Sequence, residues 1–328
     1  MEPPTPRPEL DFHTADSSVR ALRGVSLSIG RGEVLAVVGE SGSGKSVLAR
    51  TVMGILEPTA QIQKGTVELD GQDILRLGRR EARALYGRRI SMIQQNAFAA
   101  LNPSATVGKQ IAQVITTHQP GVTAQQARER AIELLGQVGI PEPHSRVDEY
   151  PHQFSVGMCQ RVVIAMAVAN NPDLIIADEP TTALDVTVQA QILDLLLSLR
   201  AERGMSLLLI THDLAVVSEC ADRVVVMYGG RVMERGSVGQ VLGAPAHPYT
   251  GRLLAATPDI AAPGARLVAI PGTQPSLKRM PPGCPFHPRC PLAVPECATA
   301  RPPFVEVGDR HVSACLFAEQ LADREVTV

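Results

Sequence analysis

Tryptophan is absent from the 328 residues, and aromatic side chains make up only 3% of them. The chain therefore has little stock of the stacking platforms on which single-stranded nucleic acid is bound. An excess of charge is missing too: 31 Lys and Arg face 33 Asp and Glu, a formal net charge of −2. Nothing in that balance calls for a nucleic acid as partner. No run approaches the roughly 20 apolar residues of a membrane-spanning helix; the longest clean runs, such as Val162–Ala169, are of buried-helix length. Met1 to Pro8 holds four prolines and no apolar leader core. The expectation is a chain kept in the cytosol, which reaches a membrane by docking on other subunits.

What is present suffices for a large core, since 45% of the residues are hydrophobic. Glu33–Val38 is an apolar run ending at a glycine-rich loop, and Ser46–Leu56 is a helix pattern stopped before Pro58. Thr66–Leu69, Asp70-Gly71 and Gln72–Leu75 predict a hairpin with a tight turn, as do Arg223–Tyr228, Gly229-Gly230 and Arg231–Glu234. Ala124–Gly136, Met158–Asn170 and Val188–Arg203 carry helix periodicity. Leu174–Ala177 and Ser206–Ile210 are continuous apolar runs of strand length, as in parallel sheets covered on both faces. The first twenty or so residues are assigned no firm structure. Six arginines within Arg76–Arg89 read as a solvated helix face and loop. From about Ala244 prolines become frequent, and a domain boundary is placed there.

Gly39-Glu40-Ser41-Gly42-Ser43-Gly44-Lys45-Ser46 matches the phosphate-loop pattern in full and lies between a predicted strand and a predicted helix. Glycines let the loop curl until successive N–H groups point at phosphate oxygens, and the helix adds its positive end. Lys45 neutralises the outer phosphates, and the Ser46 hydroxyl is a hard oxygen ligand for Mg²⁺. Leu174-Ile175-Ile176-Ala177 delivers Asp178 and Glu179 to the strand's C-terminal edge. Asp178 is expected to orient Mg²⁺, and Glu179 to polarise the attacking water as general base.

Around these motifs the chain resembles the ABC ATPases. Phe154-Ser155-Val156-Gly157-Met158-Cys159-Gln160-Arg161 is similar to their signature, Thr182-Ala183-Leu184-Asp185 to their D-loop, and Thr211-His212-Asp213 to their switch histidine. Gln95 fits the Q-loop, and Phe12 the aromatic that stacks on adenine. The resemblance implies that His212 contacts the γ-phosphate, that Gln95 links Mg²⁺ to a permease docking surface, and that Asp185 acts at a dimer interface. It also implies that Ser155, Val156, Gly157 and Met158 face the partner's ATP. Pro151-His152-Gln153-Phe154-Ser155, the run Ala177 to Gln191, His247-Pro248-Tyr249-Thr250 and Gly283 to Pro291 resemble more narrowly the dipeptide and oligopeptide importer ATPases.

Cys284, Cys290, Cys297 and Cys315 crowd the last quarter with C-x5-C-x6-C-x17-C spacing, apart from Cys159 and Cys220. In a reducing compartment this reads as metal binding before disulfides. The intervals fit neither a zinc ribbon nor a ferredoxin run, so spacing leaves Zn²⁺ and a cubane cluster both open. The resemblance points to an appended domain in which some family members hold a [4Fe–4S] cluster.

The expected fold is α/β: a RecA-like P-loop core with an antiparallel β portion and a helical subdomain over about 97–170. Residues 1–243 form this nucleotide-binding domain, and 244–328 a small, irregular, Cys-rich extension. By resemblance the partners are a second ATPase subunit in a heterodimer, two transmembrane permease subunits and an extracytoplasmic solute-binding protein, at the cytoplasmic face of a bacterial plasma membrane. Peptides lead as cargo, with nickel, glutathione or haem as alternatives. Two rivals are a soluble ABC ATPase of DNA repair or translation, whose coiled-coil insertions or tandem cassettes are missing here, and a nucleotide sensor without hydrolysis. Val156 stands where the signature usually has glycine, which keeps the sensor open.

Overall fold

The computed structural model describes residues 9–14, 17–182, 184–257 and 269–323. The chain divides into two compact units, one of Met1–Ser28, Val34–Arg76 and Ile210–Val328, the other of Ile29–Glu33 and Leu77–Leu209.

In the first unit, Val34–Val38 is buried at every position, so its unbroken apolar sequence replaces the alternation of a half-exposed strand. It pairs in parallel with Arg223–Tyr228, Val38 opposite Val226. The sheet continues antiparallel through Arg231–Ser237, His311–Ser313 and Val305–Gly308. Gly229 and Gly230 both take positive φ, the backbone that a two-residue hairpin turn demands. The tail expected to be irregular thus contributes two strands to the sheet that carries the phosphate loop. Tyr228, Tyr249 and Phe286, all fully buried, form an aromatic cluster with ring centroids 4.7–5.4 Å apart.

One expectation is corrected at the N-terminal end. Glu9–Thr14 pairs antiparallel with both Ser17–Arg23 and Ala60–Lys64, where no firm structure was expected. Leu10-Asp11-Phe12-His13 alternates apolar and polar residues, but over too short a run to mark a strand without its pairing partners. The Asp70-Gly71 hairpin forms, but its second strand is only Gln72–Asp73, and Ile74–Arg76 turns into a 3-10 helix.

In the second unit, the strands Ser206–Ile210, Leu174–Asp178 and Ile90–Ile93 are neighbours in that order, the last two parallel with Ile93 opposite Ala177. Helices Val107–His118, Ala124–Gln137 and Val156–Val168 pack on one another. Their starts are chemically marked: Thr106, Thr123 and Ser155 each accept the amide three residues on, and Thr123 completes a capping box with Gln126. The helix Val186–Arg203 begins at the Asp185 cap and stops at Gly204, in the left-handed region. The arginine-rich stretch forms the short helix Arg79–Leu85, with Arg79, Arg80 and Arg83 exposed as expected. Among the described residues no helix is long and apolar enough to cross a membrane.

Candidate functional site

The buried strand Val34–Val38 ends at Gly39, whose φ of 148° starts the phosphate loop. A side chain there is impossible without moving main chain, since a Cβ would sit 2.1 Å from the Met227 carbonyl oxygen. Gly42 and Gly44 also take positive φ, and Gly44 opens the helix Lys45–Val52. The loop is braced by Ser43 N–H donating to the Glu40 carbonyl at 3.2 Å and by Gly230 N–H donating to the Ser43 carbonyl at 2.9 Å. Lys45 is 5% exposed, and its ammonium donates to the carbonyls of Gly39 at 2.7 Å and Glu40 at 3.1 Å. Ser43 Oγ is buried without a hydrogen-bond partner among the described residues. Ser41 and Gly42 are exposed and Ser46 is half-buried at the start of the helix.

His212, in the same unit, is exposed on the turn after Ser206–Ile210. Its neighbours fix that turn. The Asp213 amide donates to Thr211 Oγ1 at 3.0 Å, and the Asp213 carboxylate caps the helix Leu214–Cys220 by accepting from the amides of Ala215 and Val216.

In the second unit, Asp178 ends the strand Leu174–Asp178 and is 5% exposed. Glu179 follows with φ of 49°, a conformation uncommon for a residue with a side chain and one that marks functional turns. Its Oε2 accepts from Gln95 Nε2 at 3.0 Å and from Thr182 Oγ1 at 2.9 Å. Gln95 and Glu179, read separately from the sequence, are therefore direct partners across 84 positions. Thr182, quoted only as part of a motif, is the second group that orients the carboxylate. Gln95 donates through its nitrogen, so its carbonyl oxygen stays available for a hard cation.

Ser155 caps the helix Val156–Val168, with Oγ accepting the Met158 amide at 3.2 Å. Val156, at the first helical position, is 46% exposed. Gly157 lies tight against the neighbouring helix, where a Cβ would meet Val188 Cγ1 at 2.8 Å. Asp185 accepts the Val188 amide at 3.0 Å. The backbone of Phe12 lies in the strand Glu9–Thr14, while its side chain and the whole of Ala183 fall outside the described residues.

Cys284, Cys290, Cys297 and Cys315 line one pocket together with His247 and His287. None of the four is in a disulfide. Burial pushes the thiols of Cys284 and Cys315 up to about 11 and raises Cys290 as well. Among the described residues no group of three or more His, Cys, Asp or Glu side chains is set to hold a metal ion, so the four-cysteine metal site expected from the sequence is not shown. The four cysteines share this one pocket. His287 Nδ1 is engaged with the Cys284 carbonyl at 2.8 Å.

The sequence presents Arg289 and Tyr249 only as parts of resemblance motifs, with no role of their own. The Arg289 guanidinium forks onto the Glu40 carboxylate, and the Tyr249 hydroxyl accepts from the Glu40 amide. The available signal was Glu40 itself, an acid inside a loop built for anions.

Residues 22–182 match the family described as ABC transporter, and residues 233–297 match the oligopeptide/dipeptide transporter C-terminal region. The oligopeptide transport ATP-binding protein OppD of Mycobacterium tuberculosis is 50% identical over 314 residues, 95% of this chain and 51% of that protein. The chain thus spans about half the length of that relative. The dipeptide transport ATP-binding protein DppD of Escherichia coli K12 is 48% identical over 94% of each chain, and that of Bacillus subtilis 45% identical over 97% of this chain and 95% of its own. Among solved structures, a dimeric bacterial ABC transporter cassette superposes with a TM-score of 0.64 at 28% identity, covering 71% of this chain and 98% of that one.

Proposed function

Because the chain belongs to the ABC transporter ATP-binding family that carries the oligopeptide/dipeptide C-terminal region, we propose that it binds and hydrolyses ATP to power uptake of di- or oligopeptides. Nickel, glutathione or haem import is the alternative cargo assignment. The observation that carries the reading is the buried Lys45 ammonium held over a loop of positive-φ glycines. That arrangement has one evident chemical use, gripping a polyphosphate. Residues 1–243 serve as the nucleotide-binding domain and 244–328 as its extension.

The proposed roles are these. The amides of Gly39, Glu40, Ser41, Gly42, Ser43 and Gly44 with Lys45 hold the phosphates, and Phe12 takes the adenine. Glu179 acts as general base, aimed by Gln95 and Thr182, and His212 senses the γ-phosphate. Ser46, Asp178 and the Gln95 carbonyl are hard oxygen donors suited to Mg²⁺, which would offset phosphate charge. Lys45→Ala is expected to abolish ATP binding. Glu179→Gln should keep it while lowering single-turnover hydrolysis on the order of 10²–10⁴-fold. Undiminished nucleotide binding by Lys45→Ala would refute the reading.

The working assembly is a second ATPase subunit, two permeases and a solute-binding protein at the cytoplasmic face of a bacterial plasma membrane, with Asp185 at the ATPase interface. Val156 gives the pair an asymmetry. A β-branched, exposed residue at the head of the signature helix crowds the partner's nucleotide site, which Ser155, Val156, Gly157 and Met158 complete. Hydrolysis at that site is slow, and Val156→Gly restores it; no gain in the assembled complex would remove the asymmetry. The four cysteines are the chain's candidate for a soft ligand, a [4Fe–4S] cluster or Zn²⁺, taken up with loss of the thiol protons. Metal content and the visible spectrum after anaerobic purification decide it, a colourless, metal-free protein overturning it.

A further inference from the structure

Glu40 is an anomaly in an anion-binding loop: a carboxylate among amides arranged for phosphate oxygens. Like charges a few ångströms apart repel strongly where water is scarce. The structure shows how this acid is handled. Arg289 donates from Nη1 to Oε2 at 2.6 Å and from Nη2 to Oε1 at 3.0 Å, the two-pronged fork that only a guanidinium supplies. The side chains of Arg289 and Glu40 are 6% and 27% exposed, so the pair is partly shielded from solvent on the arginine side. Its other contacts leave it no freedom. Nε donates to the Pro271 carbonyl at 2.8 Å, Nη1 also reaches the Tyr228 hydroxyl at 3.1 Å, and the guanidinium lies 5.8 Å from the Tyr228 ring centroid.

The main chain of Glu40 is held as well. Its amide donates to the Tyr249 hydroxyl at 2.8 Å, and its carbonyl accepts from the Lys45 ammonium at 3.1 Å. One residue thus joins the tail, through Arg289 and Tyr249, to the lysine that meets the phosphates. We infer that Arg289 is a positioning residue for nucleotide binding: it neutralises Glu40, draws its carboxylate away from the phosphate position and so sets the loop for a triphosphate. The inference rests on the reading of this loop as a nucleotide site. It makes the C-terminal extension part of the nucleotide site, since Arg289 stands between Cys284 and Cys290.

The test is a double-mutant cycle on the full chain in its assembled complex, read as ATP affinity. Arg289→Ala leaves an unpaired carboxylate in the loop and should weaken ATP binding about tenfold, within the range usual for coupled sites. Arg289→Lys keeps the charge but loses the fork and should fall between. The double variant Arg289→Ala with Glu40→Gln removes the offending charge and should recover affinity to within about threefold of the parent, a strong non-additivity. Rescue by deleting a second residue is a result that a purely structural role would not give. If Arg289→Ala does not fold, Arg289→Lys with and without Glu40→Gln runs the same cycle. Parent-like affinity in the Arg289 single variants, or no recovery in the double, overturns the inference. Failure of the parent to bind ATP at all sinks the nucleotide reading instead, so the two outcomes are distinct.

Discussion

Glu234 is fully buried, and three donors converge on its carboxylate. Ala246 N–H donates to Oε1 at 2.7 Å, His247 N–H to Oε2 at 3.1 Å, and His311 Nε2 lies 2.8 Å from Oε1. The carboxylate thus ties the strand Arg231–Ser237 to the start of the extension and to its last strand, His311–Ser313. In Glu234→Ala each of these donors stays buried without an acceptor, at about 1–3 kcal/mol apiece. The shape left behind relaxes in part, so the expected loss is about 4 kcal/mol, in line with breaking a buried pair from one side. That is a large share of the roughly 5–15 kcal/mol that holds a domain together. Glu234→Gln keeps one acceptor oxygen but turns an amide NH₂ toward a donor, and should lose about 2 kcal/mol. Urea denaturation gives the total as a shift in midpoint at unchanged slope. Amide exchange at Ala246 and His247 gives the local part and should accelerate in step. A midpoint change in Glu234→Ala worth under about 1 kcal/mol, with both amides still protected, would refute this account of how the extension is fastened.

Gly39→Ala drives a Cβ into the Met227 carbonyl oxygen at 2.1 Å and should cost at least about 3 kcal/mol, seen as a lower denaturation midpoint together with lost ATP binding. Thr182→Val removes a hydrogen bond that aims Glu179 and should lower kcat about tenfold while ATP affinity holds, a split measured by steady-state ATPase assay with direct binding. Burial pushes His247 down to about 3 from its ordinary 6.5, so between those values the unfolded chain takes a proton that the folded chain refuses. Stability is full above pH 6.5 and falls as pH drops toward 3, by at most about 1.4 kcal/mol per unit from this group. His247→Asn keeps a cap for the helix Pro248–Ala255 and should flatten that slope in pH-resolved denaturation.

Much of this site was legible because its chemistry is local. A phosphate grip needs consecutive amides, so it must be written in consecutive residues, and Gly39 to Ser46 carries it with the strand and helix at either side. The same holds for Asp178 and Glu179 at the end of a wholly apolar strand. The structure added what joins distant positions. Gln95 and Thr182 both hold Glu179, whereas the resemblance placed Gln95 between Mg²⁺ and a permease docking surface. Glu9–Thr14 gained its strand from pairing with Ala60–Lys64, a partner no local pattern reveals. The four cysteines announced a shared purpose through their crowding, and they do share a pocket, but spacing carries no information on how far apart folded sulfurs lie.

Between these two kinds of feature lies a third, in which a local pattern is legible as incomplete. Glu40 is plain in the sequence, and so is the problem it poses, since an acid in a phosphate loop weakens the field the loop exists to create. A cation must answer it, and the loop's own Lys45 is bonded to the main-chain carbonyls of Gly39 and Glu40 and, on the proposed reading, kept for the phosphates. The answer therefore has to come from elsewhere in the chain, and it comes from Arg289, 249 positions away. On the proposed nucleotide reading the extension is no independent appendage, because removing it would strip Glu40 of its guanidinium partner.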